Sequence, residues 1–97
     1  MTRVYSITMQ TPIGIQRGKL TFITSGTILS GTLDGDSIHS KFNNGKIINN
    51  NFEFSGQLTK AFFNIPYYAN GILNSNSLTG SVKTKYGTFI VRGNIIK

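Results

Sequence analysis

The sequence predicts an all-β protein: one domain, residues 1–97, of about eight antiparallel strands that follow one another as an up-and-down meander. Three observations predict it. Apolar and polar residues alternate with a period of two along most of the chain. Good helix formers are scarce, while Ile, Thr, Ser, Asn and Gly are plentiful. Short turn sequences separate the alternating segments and leave no room for crossover helices, so neighbouring strands must be antiparallel.

Each predicted strand has an apolar face made of residues two positions apart. Along the chain these faces are Tyr5, Ile7 and Met9; Leu20 and Phe22; Leu29, Gly31 and Leu33; Ile38 and Phe42; Phe52, Phe54, Gly56 and Leu58; Phe63, Ile65, Tyr67 and Ala69; Leu78, Gly80 and Val82; and Phe89, Val91 and Ile95. Polar residues take the alternate positions, so one side of the sheet is predicted to form the core. The large members of this set are able to fill a small barrel, and we favour a filled core over a pocket.

Turn sequences join these segments. They are TPIG (11–14), TSGT (24–27), DGD (34–36), NSN (74–76) and KYG (85–87). Asp-Gly is a strong hairpin signal, because it tolerates the positive φ angles of a type I′ turn. The stretch NNGKIINNN (43–51) is polar and rich in turn residues. It predicts a short irregular connection between the fourth and fifth strands.

Three segments share a pattern with a central glycine: LSGTL (29–33), FSGQL (54–58) and LTGSV (78–82). Their spacings of 25 and 24 residues indicate an internal repeat of one hairpin plus its return. Each glycine shares the face of large apolar residues, where it lets a coiled sheet bend and leaves space for the bulky residue opposite. We therefore expect closure into a small barrel, with a β-sandwich of two sheets as the alternative.

These turns and glycine segments resemble a small bacterial and archaeal calycin-like, or streptavidin-like, β-barrel module, whose repeats carry a lysine-threonine-proline-methionine-glycine turn. QTPIG (10–14) keeps that turn, KTKYG (83–87) keeps it without the proline, and LTKAFF (58–63) keeps only the threonine. The resemblance spans nearly the whole chain. It implies the barrel fold and transfers no catalytic residue, because such modules have no settled biochemical activity.

The chain is strongly basic. Ten Lys and Arg residues against three Asp and Glu give a net charge of +7. Such a charge attracts anions of several kinds: nucleic acid, nucleotides, acidic proteins or lipid surfaces. Cysteine is absent, and neither a signal peptide nor an apolar run of membrane-helix length is visible. We therefore expect a cytoplasmic protein without a membrane span.

Residues suited to catalysis are few. His39 is the only histidine, and the nearby Asp34 and Asp36 fall in a predicted turn, without a serine on a strained elbow. Glu53 is the third carboxylate, and one histidine with three acids makes a poor metal site. We expect no enzyme activity, no metal site and no cofactor.

The leading functional hypothesis is a non-enzymatic module that binds a small anionic or amphipathic molecule at a barrel mouth or on a basic wall. The predicted ligand-binding residues are Arg17, Lys19, Lys83, Lys85 and Arg92 as electrostatic anchors, and Tyr67 or Tyr86 as the stacking or hydrogen-bonding group. If the last strand pairs with the first, these cations share one wall, and the carboxylates lie around the other side. Exposed strand positions also carry lysine and arginine without any partner, and that interpretation stays open.

Two other hypotheses use the same features. Sequence-independent nucleic-acid or nucleotide binding would combine the cations with stacking on Tyr68 and Tyr86. An accessory role would dock an acidic protein on outward aromatic residues. Phe62, Tyr68 and Ile90 are predicted on the outer surface, so a homo-oligomer is a further expectation.

Overall fold

The computed structural model describes residues 2–11, 14–35, 38–60 and 63–96, with the backbone alone at 60 and 63. In these ranges lie β1 (Thr2–Thr11), β2 (Gly14–Ser25), β3 (Ile28–Gly35), β4 (Ile38–Ile48), β5 (Asn51–Lys60), β6 (Phe63–Asn74), β7 (Ser77–Thr84) and β8 (Gly87–Ile95). Each strand pairs antiparallel with its neighbours in the chain, and β8 pairs with β1. The predicted all-β meander of eight strands is confirmed, and it forms a closed barrel rather than a sandwich.

The seam between β1 and β8 runs from the pair Tyr5–Ile95 to the pair Met9–Val91. Closure removes the sheet edges, which would otherwise expose unpaired N–H and C=O groups. The molecule measures 34 × 22 × 21 Å, and the long dimension follows the strands. We call the end with the connections after β1, β3, β5 and β7 the hairpin mouth. The opposite end, where β1 begins and β8 ends, is the terminal mouth.

The turns at the terminal mouth are two residues long: 26–27, 49–50 and 75–76. The first residue of each has a positive φ, which is 61° at Gly26, 57° at Asn49 and 40° at Ser75. Glycine and asparagine adopt this conformation at low cost. Local sequence therefore favours the first two of these hairpins.

At the hairpin mouth, the residues that flank the connections after β1 and β7 share one geometry. The Thr11 hydroxyl donates to the Gly14 carbonyl at 2.8 Å, and the Thr84 hydroxyl donates to the Gly87 carbonyl at 3.3 Å. The φ angles of the two glycines are 120° and 129°. The flanking threonine and glycine of QTPIG thus match those of KTKYG, and residues 12–13 lie outside the described ranges.

The hairpin predicted at DGD lies slightly later in the chain. Backbone pairing continues through Asp34–His39 to Gly35–Ile38. The connection is therefore 36–37, which lies outside the described residues. The Asp-Gly step itself belongs to β3, because cross-strand pairing extends over it.

The prediction of an irregular connection at 43–51 is wrong for most of that stretch. Strand β4 continues to Ile48, and only 49–50 form the turn. The register of β4 shifts by one residue against both β3 and β5, which indicates a bulge at Asn43 and Asn44. The Asn44 side chain accepts from the Ser55 backbone N–H at 3.5 Å and donates to the Ser55 hydroxyl at 3.1 Å. Polar residues that are typical of turns thus form a bulge inside a strand.

The predicted apolar faces form the core. Its aromatic part is one connected cluster of Tyr5, Phe22, Phe42, Phe52, Phe54 and Tyr67, all less than 6% exposed. Phe22 lies at its centre, edge-on to four other rings at centroid distances of 5.1–6.2 Å. Phe42 and Phe54 stack at 3.9 Å. Phe89 is half-buried, and the Phe63 side chain lies outside the described residues.

The repeat glycines leave space, as predicted, for two different reasons. A Cβ at Gly31 would overlap the carbonyl oxygen of Thr21 and lie 3.1 Å from the Phe42 ring, so this glycine lets β2 and β3 pack closely. The repeat glycine of β7 is in similar backbone contact with β6. Gly56 instead faces its cross-strand partner Tyr67, whose hydroxyl would lie 3.1 Å from an added Cβ. Here the missing side chain makes room for a ring.

Candidate ligand-binding sites

Closure of the barrel brings two predicted anchors together. Thr8 on β1 lies opposite Arg17 on β2 and opposite Arg92 on β8. Because neighbouring strands are about 4.8 Å apart, the two arginine Cα atoms are about 10 Å apart across β1. The Thr8 hydroxyl also donates to the Arg92 carbonyl at 3.5 Å. This exposed pair forms the centre of the basic wall, which we define as Arg17, Lys19, Lys83, Lys85 and Arg92.

The lysines of the basic wall are more dispersed. Lys19 lies opposite Ser6, towards the terminal mouth. Lys83 lies opposite Thr88, towards the hairpin mouth, and Lys85 is in the connection between β7 and β8. All three side chains are exposed, so water and salt screen them from one another. The wall is a stripe of separate charges rather than a compact cluster.

One carboxylate lies nearer to the basic wall than predicted. Asp34 is directly opposite Lys19 across β2 and β3. Its carboxylate is hydrogen-bonded to Nδ1 of His39, and both side chains are exposed. The expectation that the acids lie around the other side is therefore wrong for Asp34, because β3 borders the wall. Asp36 lies outside the described residues.

Tyr67 lies inside the barrel and not on the basic wall. It is 4% exposed, and its hydroxyl shares a 2.9 Å hydrogen bond with Ser40, the buried polar residue of β4. Burial raises the pKa of Tyr67, and the hydrogen bond from Ser40 opposes only part of that effect. A surface ligand has no access to this ring. Ser40 was not among the residues predicted to face inward, although it lies two positions from both Ile38 and Phe42.

Tyr86 lies on the surface beside Lys85, where the hypothesis of a small anionic ligand requires an aromatic ring. Its side chain is 65% exposed at the hairpin mouth. The ammonium group of Lys85 lies 5.3 Å from the centroid of the Tyr86 ring, within cation–π range. One anchor and one aromatic residue of the predicted site are thus adjacent.

The barrel interior is filled with side chains. A cavity among the core residues, lined by Ile7, Leu20, Phe52, Leu78 and Val91 among others, has a volume of about 40 Å³. A water molecule takes about 30 Å³ in the liquid, and small-molecule sites are typically about 300–1,000 Å³. This cavity is too small for an organic ligand.

The hairpin mouth is an apolar depression of about 290 Å³. Its wall consists mainly of Met9, Ile38, Leu58, Ile65, Val82 and Phe89, which come from six strands. Gln16 and Tyr86 lie at the same depression. An adjoining recess of about 30 Å³ shares Gln16 with it and is also lined by Arg17. The mouth therefore combines an apolar interior with cations at its rim.

The terminal mouth is a larger depression of about 470 Å³. Phe22, Ile47 and Leu73 form its apolar part, and the turns 26–27 and 49–50 border it. Arg3 also lines it, and this arginine was not among the predicted site residues. The signal was present in the sequence, because Arg3 is in phase with the inward residues of β1.

A groove of about 540 Å³ crosses the outer face of β4 to β8. Ile48, Tyr68, Ile72 and Ile90 are exposed along it, so two of the three residues predicted for a homo-oligomer are adjacent to one apolar surface. The Tyr68 hydroxyl donates to the Glu53 carboxylate at 2.6 Å, which raises the pKa of Tyr68. Phe62 lies outside the described residues, and the oligomer stays a prediction.

Nowhere in 2–11, 14–35, 38–60 and 63–96 do three His, Cys, Asp or Glu side chains gather as metal ligands. The same ranges contain no helix with the length and apolar character needed to cross a bilayer. Comparison with protein-family models and with curated proteins gives no match. Function is therefore inferred from the geometry of the surface.

Proposed function

We propose that this protein is a non-enzymatic binding module for a small amphipathic anion, seated at the hairpin mouth. The apolar part of the ligand packs against Ile38, Ile65 and Phe89. Its anionic group lies at the rim, within reach of Lys85 and Arg17. We also group the barrel with the calycin-like folds, on the strength of its eight-stranded up-and-down topology.

The observation that carries this proposal is the adjacency of an apolar depression, an exposed aromatic ring and two cations. Tyr86 lines the mouth and holds the Lys85 ammonium group over its ring. Arg17 lines the recess that adjoins the mouth. Apolar contact supplies affinity, while the rim charges select the sign of the headgroup.

A second candidate is sequence-independent nucleic-acid binding on the basic wall. The row Arg17–Thr8–Arg92 supports it, because it places two guanidinium groups on one exposed surface. However, single-strand binders combine cations with stacked aromatic rings. The residue between these arginines is a threonine, and Tyr68 is hydrogen-bonded to the Glu53 carboxylate, which repels phosphate. We therefore rank this function second.

Two substitutions that each add one negative charge test the first proposal. Gln16→Glu adds a carboxylate at the hairpin mouth with almost no change in shape, and Gln57→Glu adds the same charge at an exposed position on β5. Titration with the fluorescent anion 1-anilinonaphthalene-8-sulfonate should show about fivefold or more weakening for Gln16→Glu and less than twofold for Gln57→Glu. Backbone amide shifts of the natural protein should cluster at Thr84 and Gly87. Equal weakening in both variants, or shifts elsewhere, would overturn the proposal.

Salt dependence distinguishes nucleic-acid binding on the basic wall from small-anion binding at the hairpin mouth. A single-stranded oligonucleotide on the basic wall should lose affinity with a log–log slope near −0.7 for each phosphate contacted. Arg92→Ala should then reduce the slope by about one contact while leaving anilinonaphthalene sulfonate binding intact. A flat salt response excludes nucleic-acid binding through this surface.

A further inference from the structure

We infer that the terminal mouth is a second ligand site, selective for a monoanionic carboxylate with an apolar body, and that Arg3 holds the carboxylate. This site goes beyond the proposed function. The two mouths lie at opposite ends of a molecule 34 Å long, so a ligand at one does not touch a ligand at the other.

Arg3 belongs to the inner face of β1. It is in phase with Tyr5 and Ile7, both of which are buried, and it lies opposite Phe22 on β2. Its side chain is half-buried and lines the 470 Å³ depression. In contrast to the basic wall, this cation lies inside the rim of the barrel.

The Arg3 guanidinium makes no hydrogen bond or ion pair with any residue that the structure describes. The carboxylates of Asp34 and Glu53 are bonded to His39 and Tyr68, and neither borders the terminal mouth. A guanidinium carries five N–H donors, which are costly to withdraw from water without acceptors. A bound carboxylate would accept two of them in parallel, the geometry that arginine favours.

The side chains around Arg3 favour a ligand with an apolar body and a single negative charge. Phe22, Ile47 and Leu73 give the depression an apolar floor, and the volume lies within the usual range for small-molecule sites. One guanidinium neutralises one negative charge. A dianionic phosphate would leave a second charge unpaired against apolar side chains, which is unfavourable. An arylalkyl or alkyl carboxylate fits both features.

The test uses 4-phenylbutyrate, with the uncharged 4-phenylbutanol as its matched ligand. Isothermal titration should show that Arg3→Met weakens 4-phenylbutyrate at least tenfold and changes 4-phenylbutanol less than twofold. Arg3→Lys should give an intermediate loss, because an ammonium group lacks the paired donors. Lys41→Met, which removes an exposed cation of β4 that borders neither mouth, should leave 4-phenylbutyrate unchanged. Amide shifts on binding should cluster at Gly26 and Asn49.

If Lys41→Met weakens 4-phenylbutyrate as much as Arg3→Met does, the inference is overturned, because the equal loss would show attraction by net charge alone. Shifts at Thr84 and Gly87 instead of the terminal turns would also overturn it, and would favour the hairpin mouth for this ligand. Thr27→Glu is a second variant that keeps Arg3 in place. Its exposed carboxylate competes for the guanidinium, so 4-phenylbutyrate should weaken at least fivefold while 4-phenylbutanol does not. Unchanged 4-phenylbutyrate binding in Thr27→Glu with native amide shifts contradicts the site.

Discussion

The two mouths of this barrel are built from the same strands and differ in where they hold positive charge. At the terminal mouth the cation is Arg3, which is half-buried on the inner face of β1 and lies opposite Phe22. At the hairpin mouth the depression is apolar, and its cations, Lys85 and Arg17, are exposed at the rim. A rim charge is screened by water and salt, whereas a half-buried charge is screened much less. We expect the terminal mouth to discriminate more sharply between charged and neutral ligands.

The phase of each residue along its strand produces this difference. Arg3 occupies an inward position of β1, and Arg17 occupies an outward position of β2. Because side chains alternate between faces, moving a cation by one position exchanges interior for exterior. The net charge of +7 is therefore a poor guide to where an anion binds.

The two halves of the core also differ. The terminal half is filled by the aromatic cluster around Phe22, and the hairpin half is lined by aliphatic side chains such as Ile65 and Leu58. Aromatic rings bury more area for each residue than aliphatic side chains do. We expect the terminal half to contribute more to stability and the hairpin half to adapt more readily to a ligand.

The largest expected effect tests that contrast. Phe22→Ala should lower the free energy of unfolding by about 3–5 kcal/mol, because it removes the ring at the centre of the cluster and leaves a cavity. Ile65→Ala removes a half-buried side chain of the hairpin mouth and should cost about 1–2 kcal/mol. Urea unfolding followed by tyrosine fluorescence measures both. Equal losses would show that the two halves contribute alike.

A smaller effect separates two uses of glycine. Gly31→Ala places a Cβ against the backbone oxygen of Thr21, so β2 and β3 must move apart, at a cost of about 2–3 kcal/mol. Gly56→Ala meets only the ends of the Tyr67 and Ser40 side chains and one carbonyl at 3.1–3.4 Å, which shift more easily. We expect about 1 kcal/mol there. The contrast fails if Gly56→Ala proves as costly as Gly31→Ala in urea unfolding.

The smallest effect is a pH dependence of stability at Tyr67. Burial raises the pKa of Tyr67 above its ordinary value of 10.0. The protonated ring therefore stabilises the fold fully below pH 10, and this contribution is lost as the pH rises through the higher folded-state pKa. Tyr67→Phe should be less stable than the natural protein by about 1–2 kcal/mol at pH 8, because the Ser40 hydroxyl loses its partner. That difference should shrink between pH 10 and 11.5.

Val82→Ala is the matched control for the pH experiment. It removes buried aliphatic volume and no ionisable group, so its deficit against the natural protein should be the same at pH 8 and at pH 11.5. Urea unfolding at each pH measures both variants. A constant deficit for Tyr67→Phe across this range would show that ionisation of Tyr67 is not linked to unfolding.

The sequence by itself determined which face each strand turns towards the core. That information is local, because the two-residue period assigns Tyr5, Phe22 and Phe54 inward without reference to any partner strand. It also determined the turns at Gly26 and at Gly87, since glycine relieves the steric cost of positive φ. The same period placed Arg3 inward, and its position at the terminal mouth is the basis of the second ligand site that we infer.

The tertiary structure alone decided which residues became neighbours. Thr8 and Arg92 are 84 residues apart in the chain, and only the closing pair β1–β8 brings them together beside Arg17. The bulge at Asn43–Asn44 likewise depends on the registers of β3 and β5, to which β4 must fit at once. Periodicity records the phase of one strand and not the register between two strands. Register is selected by packing across the barrel, where side chains distant in sequence must fill one shared volume.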